Sequence, residues 1–218
     1  MILYIYCAGG FGKEVVDVAS RKNNITNQWS DIKFVDDIIT LDIKYGVQVL
    51  TLDQVKSSGE LDQAEFLIAS GEPAVRHKIS EKLKQANVKL GQLIDVSTSV
   101  AKTAQLFEGV IITPLCSISS DAVLSSNSCV NTMSIIGHDV LIGENSVISS
   151  MVNMGGSCVV GENSYIGMGA LIKEGVKIGS NTIVGMGSVV YNDIPDGVIA
   201  LGNPARVMRK NSAQKVFK

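Results

Sequence analysis

Residues Ser134–Ser146 read SIIGHDVLIGENS, with an aliphatic residue at every sixth place and a histidine between two of them. The series extends in both directions. Stepping by six from Ile94 gives Val100, Leu106, Ile112, Ile118, Leu124, Val130, Ile136, Ile142, Ile148, Met154, Val160, Ile166, Ile172, Ile178, Val184 and Val190, without a break. The residue two places before each is small, from Ala104 through Ser128, Ser134 and Ser146 to Ser188. The residue after each is often glycine, as at Gly137, Gly143, Gly155, Gly161, Gly167, Gly179 and Gly185. A helix repeats near 3.6 residues, so a period of six does not fit one. It fits a short strand plus a turn. The large aliphatic fills an interior, the small residue sits beside it at a corner, and glycine is expected to relieve strain in the turn. Three such units close a triangular coil of 18 residues, and coils stack at about 4.8 Å. Residues 18 apart then lie above one another.

The 218-residue chain has room for a second, smaller unit before the repeat. It opens MILYIYCAGGFGKEVVDVAS. Ile2–Cys7 reads as a buried strand, Ala8–Gly12 as a glycine turn and Gly12–Arg21 as a helix. IKFVDD, YGVQVL and EFLIAS read as further strands, and PAVRHKISEKLKQA as a helix. Alternating strands and helices predict a small parallel, Rossmann-like sheet over residues 1–92, with the repeat domain over 93–218. The turn is G-G-x-G rather than G-x-G-x-x-G, so it is a weak dinucleotide signal. Backbone N–H groups at such a turn suit a phosphate or sugar. Gly9, Gly10, Phe11 and Gly12 are therefore candidate ligand contacts; a tight turn with no ligand explains the glycines equally. Asp36, Asp37, Ser70 and Gly71 stand at carboxyl ends of strands, where open sheets bind ligands. There a carboxylate suits a uracil imide or a ribose hydroxyl.

Composition narrows the partners. Apolar residues make up 45%, charged residues 18%, and the net charge is −2, which argues against nucleic acid. No apolar run reaches membrane-spanning length, and the first strand lacks a basic leader. Cys7, Cys116, Cys129 and Cys158 show no metal-ligand spacing and fit buried thiols in a reducing cytoplasm.

The segments YCAGGFGKEVVDV, FVDD, IASGEPAVR, IGHDVLIG and GNPARVM, in that order, resemble the sialic-acid O-acetyltransferase-like group (NeuD/PglD type) of hexapeptide-repeat acyltransferases. The resemblance spans almost the whole chain. It implies a left-handed parallel β-helix and acetyl-CoA-dependent N-acetylation of a nucleotide-linked amino sugar, of UDP-4-amino-sugar type, in bacterial surface glycan synthesis. It implies no metal and a homotrimer with sites between subunits, which would cover outward residues such as Met133 and Met151. It makes His138 the general base and Asp139 its orienting partner. The chemistry agrees, because a sugar ammonium must lose a proton and imidazole accepts one near neutral pH. The other histidine, His77, reads as a surface residue of its helix.

The resemblance also places the Gly156 N–H, 18 residues beyond His138, at the thioester carbonyl. Some relatives carry a second histidine against the coenzyme where this chain has Val147. Met168 and Met186 match positions along the coenzyme channel, although packing accounts for them as well. Gly202–Arg206 matches the segment closing over the coenzyme's far end, with Arg206 toward a phosphate or solvent. Two other activities compete: O-acetylation of a sialic-acid-type sugar, and a non-catalytic β-helix that scaffolds or binds. A zinc β-helix needs three imidazoles per site, and the repeat supplies one per chain.

Overall fold

The computed structural model describes residues 1–217. The first half is a five-stranded sheet in the order β3-β4-β2-β1-β5, comprising β1 (Ile2–Tyr6), β2 (Asp31–Val35), β3 (Ile43–Lys44), β4 (Val47–Leu50) and β5 (Ala64–Ile68). All pairings are parallel except the β3–β4 hairpin, which turns at Tyr45 and Gly46, both at positive φ. Helices α1 (Gly10–Thr26), α2 (Leu52–Ser58) and α3 (Pro73–Gln85) complete it. Helix α1 is longer than Gly12–Arg21 and begins inside the expected turn. At Gly12 a Cβ would stand 2.1 Å from the Cys7 carbonyl oxygen, so only glycine lets α1 start so close to the end of β1.

The second half is a left-handed parallel β-helix. Seventeen two-residue strands, from Leu93–Ile94 to Val189–Val190, stack in strict 18-residue register: Leu93 pairs with Ile111, Ser117 with Ile135, Leu141 with Val159. They form three faces. The first carries Ile94, Ile112 and their successors, the second Val100 and Ile118, the third Leu106 and Leu124. The aliphatic column points inward, and together with the small column it forms one continuous core from Val110 to Ala205. The register ends at Ile183, which pairs with Ile199, and a hairpin of Val198–Leu201 with Arg206–Lys210 closes the stack. The 93–218 domain is seen to Phe217; Lys218 lies outside the described residues.

The corners correct one expectation. The glycines that follow the aliphatics are not in the left-handed region. A Cβ at Gly137 would stand 2.7 Å from the Gly155 carbonyl carbon and the Gly156 nitrogen, so that column is small because successive coils touch there. The left-handed position comes two places later. Asp121, Asn127, Asp139, Asn145, Asn163 and Asn181 occupy it at φ 54–60°, and Gly169, Gly175 and Gly187 at 66–73°. Asn, Asp and Gly tolerate that region best.

The two halves pack face to face. Leu93, Ile111, Cys129 and Val147 point outward from the first face and are buried in one layer with Val15, Val18 and Ala19 of α1. Arg76 of α3 is fully buried at the same boundary. Its Nε donates to the Asn127 carbonyl at 2.9 Å, and its NH1 to the carbonyls of Ile68 (2.6 Å) and Ser70 (3.0 Å). This guanidinium ties a β-helix corner to the end of β5. Arg21 pairs with Asp95 at 2.8 Å on another edge.

Candidate active site

His138 and Asp139 form the turn between the second and third faces. Neighbouring strand residues point apart, so contact between these two requires a bend. The bend is at Asp139 itself, at φ 58°, and not at Gly137. It brings Asp139 Oδ2 to 2.7 Å from His138 Nδ1. The carboxylate can only accept, so in the neutral ring Nδ1 carries the proton and Nε2 presents its lone pair.

One coil along, Gly156 lies under the imidazole. A Cβ there would stand 2.5 Å from both Cε1 and Nε2 of His138, so the ring rests on the bare α-carbon. The next turn is anchored by Ser157 N–H donating to the His138 carbonyl at 2.8 Å. The Gly156 N–H itself has no acceptor among the described residues. A base and an uncommitted peptide donor thus stand side by side. Both side chains of the pair are open to solvent, His138 at 68% and Asp139 at 57%.

The remaining expected residues fall in other places. Met168 and Met186 lie exposed at the corner between the first and second faces. Gly202–Arg206 folds onto the same corner, with Gly202 N–H donating to Ser188 Oγ and Ala205 N–H to the Val189 carbonyl. Arg206 is exposed, and its guanidinium donates to the neighbouring Ala205 carbonyl at 3.2 Å. Val147 is 1% exposed and packs in the layer against α1, in keeping with packing at the position of the second histidine.

In the N-terminal half, Gly9 and Gly10 face open space at the start of α1, with nothing within 4 Å of where a Cβ would be, and Phe11 is half-buried beside them. Asp36 is held by the backbone around it. Its Oδ2 accepts from Ala8 N–H at 2.9 Å, and its Oδ1 from the N–H groups of Ile38 (2.9 Å) and Ile39 (3.0 Å). It fastens the glycine turn to the loop after β2. Asp37 is likewise engaged, by the Tyr6 hydroxyl, Lys82 Nζ and, at 3.0 Å, Leu52 N–H. Burial alone would push this carboxyl up; the hydrogen bonds from Lys82 and Tyr6 bring it below the usual carboxylate range. Ser70 Oγ accepts from Glu72 N–H at 3.2 Å, and Gly71 touches the Phe217 ring. His77 is exposed on α3.

Sequence reasoning passed over the asparagine ladder, Arg76 and the segment at Phe217. The ladder was readable: Asn127, Asn145, Asn163 and Asn181 recur every 18 residues at left-handed corners. Arg76 and Phe217 carry no periodic signal.

Comparison with known proteins bears on this geometry. Residues 2–83 match the family described as PglD N-terminal domain. Residues 134–167 match the hexapeptide repeat of succinyl-transferase, and 157–192 the bacterial transferase hexapeptide. No curated protein sequence matches the chain. Among solved structures, the acetyltransferase domain of PglB from Neisseria gonorrhoeae, known also in complex with acetyl coenzyme A, is 29% identical with a TM-score of 0.88; the match covers 95% of this chain and 99% of that one. PerB, the perosamine N-acetyltransferase from Caulobacter crescentus, solved with CoA and GDP-perosamine, is 27% identical over 95% of this chain and 97% of that one, with a TM-score of 0.86. WeeI from Acinetobacter baumannii is 29% identical over 95% and 100%, with a TM-score of 0.87. The chain joins a PglD N-terminal domain to bacterial transferase hexapeptide repeats, the arrangement of the PglD/NeuD type, and is an acyltransferase.

Proposed function

We propose that the chain transfers the acetyl group of acetyl-CoA to the amino group of a nucleotide-linked amino sugar, of UDP-4-amino-sugar type, for cytoplasmic steps of bacterial surface glycan synthesis. The observation that carries this reading is the imidazole seated on Gly156 with its Nδ1 engaged by Asp139. His138 Nε2 takes the proton from the attacking nitrogen as the N–C bond to the thioester carbonyl forms. The Gly156 N–H donates to the oxyanion of the tetrahedral intermediate. Collapse expels the CoA thiolate, which is protonated on leaving. The PglB domain with acetyl-CoA and PerB with a GDP-linked amino sugar support the choice of both substrates.

The acceptor would lie across the carboxyl ends of β2, β1 and β5, its diphosphate at the open start of α1 beside Gly9 and Gly10. That crevice stands against the first face. The His138 corner is the prism edge opposite it, so one protomer does not serve its own acceptor. A homotrimer in which a neighbour presents His138 meets this requirement. Leu115, Met133 and Met151 favour it: they hold left-handed backbone at φ 60–62° while leaving about half of their apolar side chains exposed. An apolar groove of about 440 Å³ on the second face, lined by Ile135, Leu171 and Val189, gives the pantetheine arm a path along the coils.

The test is release of CoA from acetyl-CoA with a panel of UDP-, dTDP- and GDP-linked amino sugars. Turnover confined to an amino acceptor supports the reading. No turnover with any acceptor overturns it in favour of a binding or scaffolding role.

A further inference from the structure

Near the end of the chain, a segment crosses back over the boundary between the two halves. The Glu72 carboxylate, at the N-terminus of α3, makes no hydrogen bond to the first turn of its own helix. Instead it accepts from Val216 N–H at 2.9 and 3.0 Å and from Phe217 N–H at 3.1 Å. The Phe217 ring meets Tyr165 of the first face edge-on, at 5.7 Å and 83°. Its Cε2 would stand 3.4 Å from a Cβ on Gly71, so the ring also touches the loop after β5. About half of it remains exposed.

The sheet order fixes what this ring would meet. Strands run β4-β2-β1-β5 across the crevice. Beside β2 and β4 lies a cavity of about 160 Å³ with aliphatic walls from Ile39, Leu41, Val49 and Leu50 and polar groups from Asp36, Asp42 and Gln54, a mixed lining that suits the faces and edges of a flat base. The bare start of α1 follows β1 and suits a diphosphate. The next position along that line, at the end of β5, belongs to the sugar, and there the half-exposed ring stands. Of the other aromatic residues in the sheet domain, Tyr4, Tyr6, Trp29, Phe34 and Phe66 are buried, Phe11 is half-buried at the start of α1, and Tyr45 is exposed at the β3–β4 turn on the far edge of the sheet, so Phe217 is the exposed ring at the end of β5. Pyranoses present an apolar C–H face that packs on aromatic rings, and Tyr and Phe supply large contact areas at low entropic cost.

We propose that Phe217, strapped down by Glu72, forms the wall of the acceptor crevice that contacts the pyranose of the nucleotide-linked sugar. This rests on the acceptor reading above. Glu72 is a positioning residue acting through Phe217.

The experiment uses the full chain, with whichever acceptor turns over, and compares wild type with Phe217→Ala and Glu72→Gln. The acceptor KM is expected to rise about tenfold in Phe217→Ala and several-fold in Glu72→Gln. The KM for acetyl-CoA is expected to stay within twofold of wild type. The inhibition constant of the free nucleoside diphosphate, UDP for a UDP-linked acceptor or GDP for a GDP-linked one, is expected to stay unchanged. An unchanged acceptor KM in Phe217→Ala overturns the inference while leaving the acetyltransferase reading intact. A parallel rise in the inhibition constant also overturns it, because the ring would then serve the base. Absence of wild-type turnover overturns the acceptor reading and this inference with it.

Discussion

Replacing Gly156 by alanine isolates the His138 geometry from the stability of the fold. Gly156 is outside the left-handed region, so alanine meets no backbone penalty. What it meets is the imidazole, at 2.5 Å from Cε1 and Nε2 and 3.0 Å from Cδ2. Non-bonded carbons sit comfortably at about 3.5–4.0 Å, so the ring must shift by roughly 1 Å. A displacement of that size at a reacting group costs on the order of 10²-fold in rate, or about 2.7 kcal/mol of transition-state stabilisation. Steady-state CoA release should therefore show kcat down about a hundredfold, with thermal stability close to wild type. Gly155→Ala is the contrasting control. Its Cβ would stand 2.6 Å from the backbone nitrogen of Glu174, so coils must part and the loss should appear as a lower Tm. A Gly156→Ala enzyme within twofold of wild-type kcat would refute the reasoning, because the ring would then not need the position that the stack gives it.

Two further outcomes follow from the charges and thiols. Asp37 is held below the usual carboxylate range, so the stability it supplies is fully present above about pH 4, the unfolded value, and declines as pH falls through its lower folded value. Asp37→Asn should lower Tm at neutral pH and flatten the fall in Tm below pH 4; an unchanged acid limb would show the carboxylate to be idle. Burial pushes the Cys7 and Cys129 thiols up to about 12, and raises those of Cys116 and Cys158. A thiol reagent should therefore label the native protein slowly and take up four equivalents in denaturant. Rapid native labelling of any of them would contradict that burial.

The repeat was legible because it is written in volume. The interior admits one large aliphatic per strand and one small residue per corner, and the six-residue spacing displays both columns. The 18-residue step by itself places His138 over Gly156. The corners were misread, because glycine has two uses. Gly137 is small for the sake of the coil below it, whereas the left-handed bend falls on Asp139, whose side chain takes up the catalytic-looking contact. The carboxylates after β2 stand where the sequence places them, and both are already engaged within the fold. Asp36 binds three backbone N–H groups, and no sequence pattern distinguishes such a carboxylate from one awaiting a ligand. Val147 stands where some relatives carry a histidine, and its outward position on the first face puts it under α1, where it packs. The strap at Phe217 was invisible, since Glu72 and Val216 meet across 144 residues with no period linking them.

The central claim, that the lone imidazole of the β-helix is the base for acetyl transfer, is tested most directly by turnover of acetyl-CoA and the active amino sugar with His138→Ala. Removing a general base costs about 10²–10⁴-fold. The account predicts a kcat lowered by that factor in a folded protein, while turnover equal to wild type would contradict it.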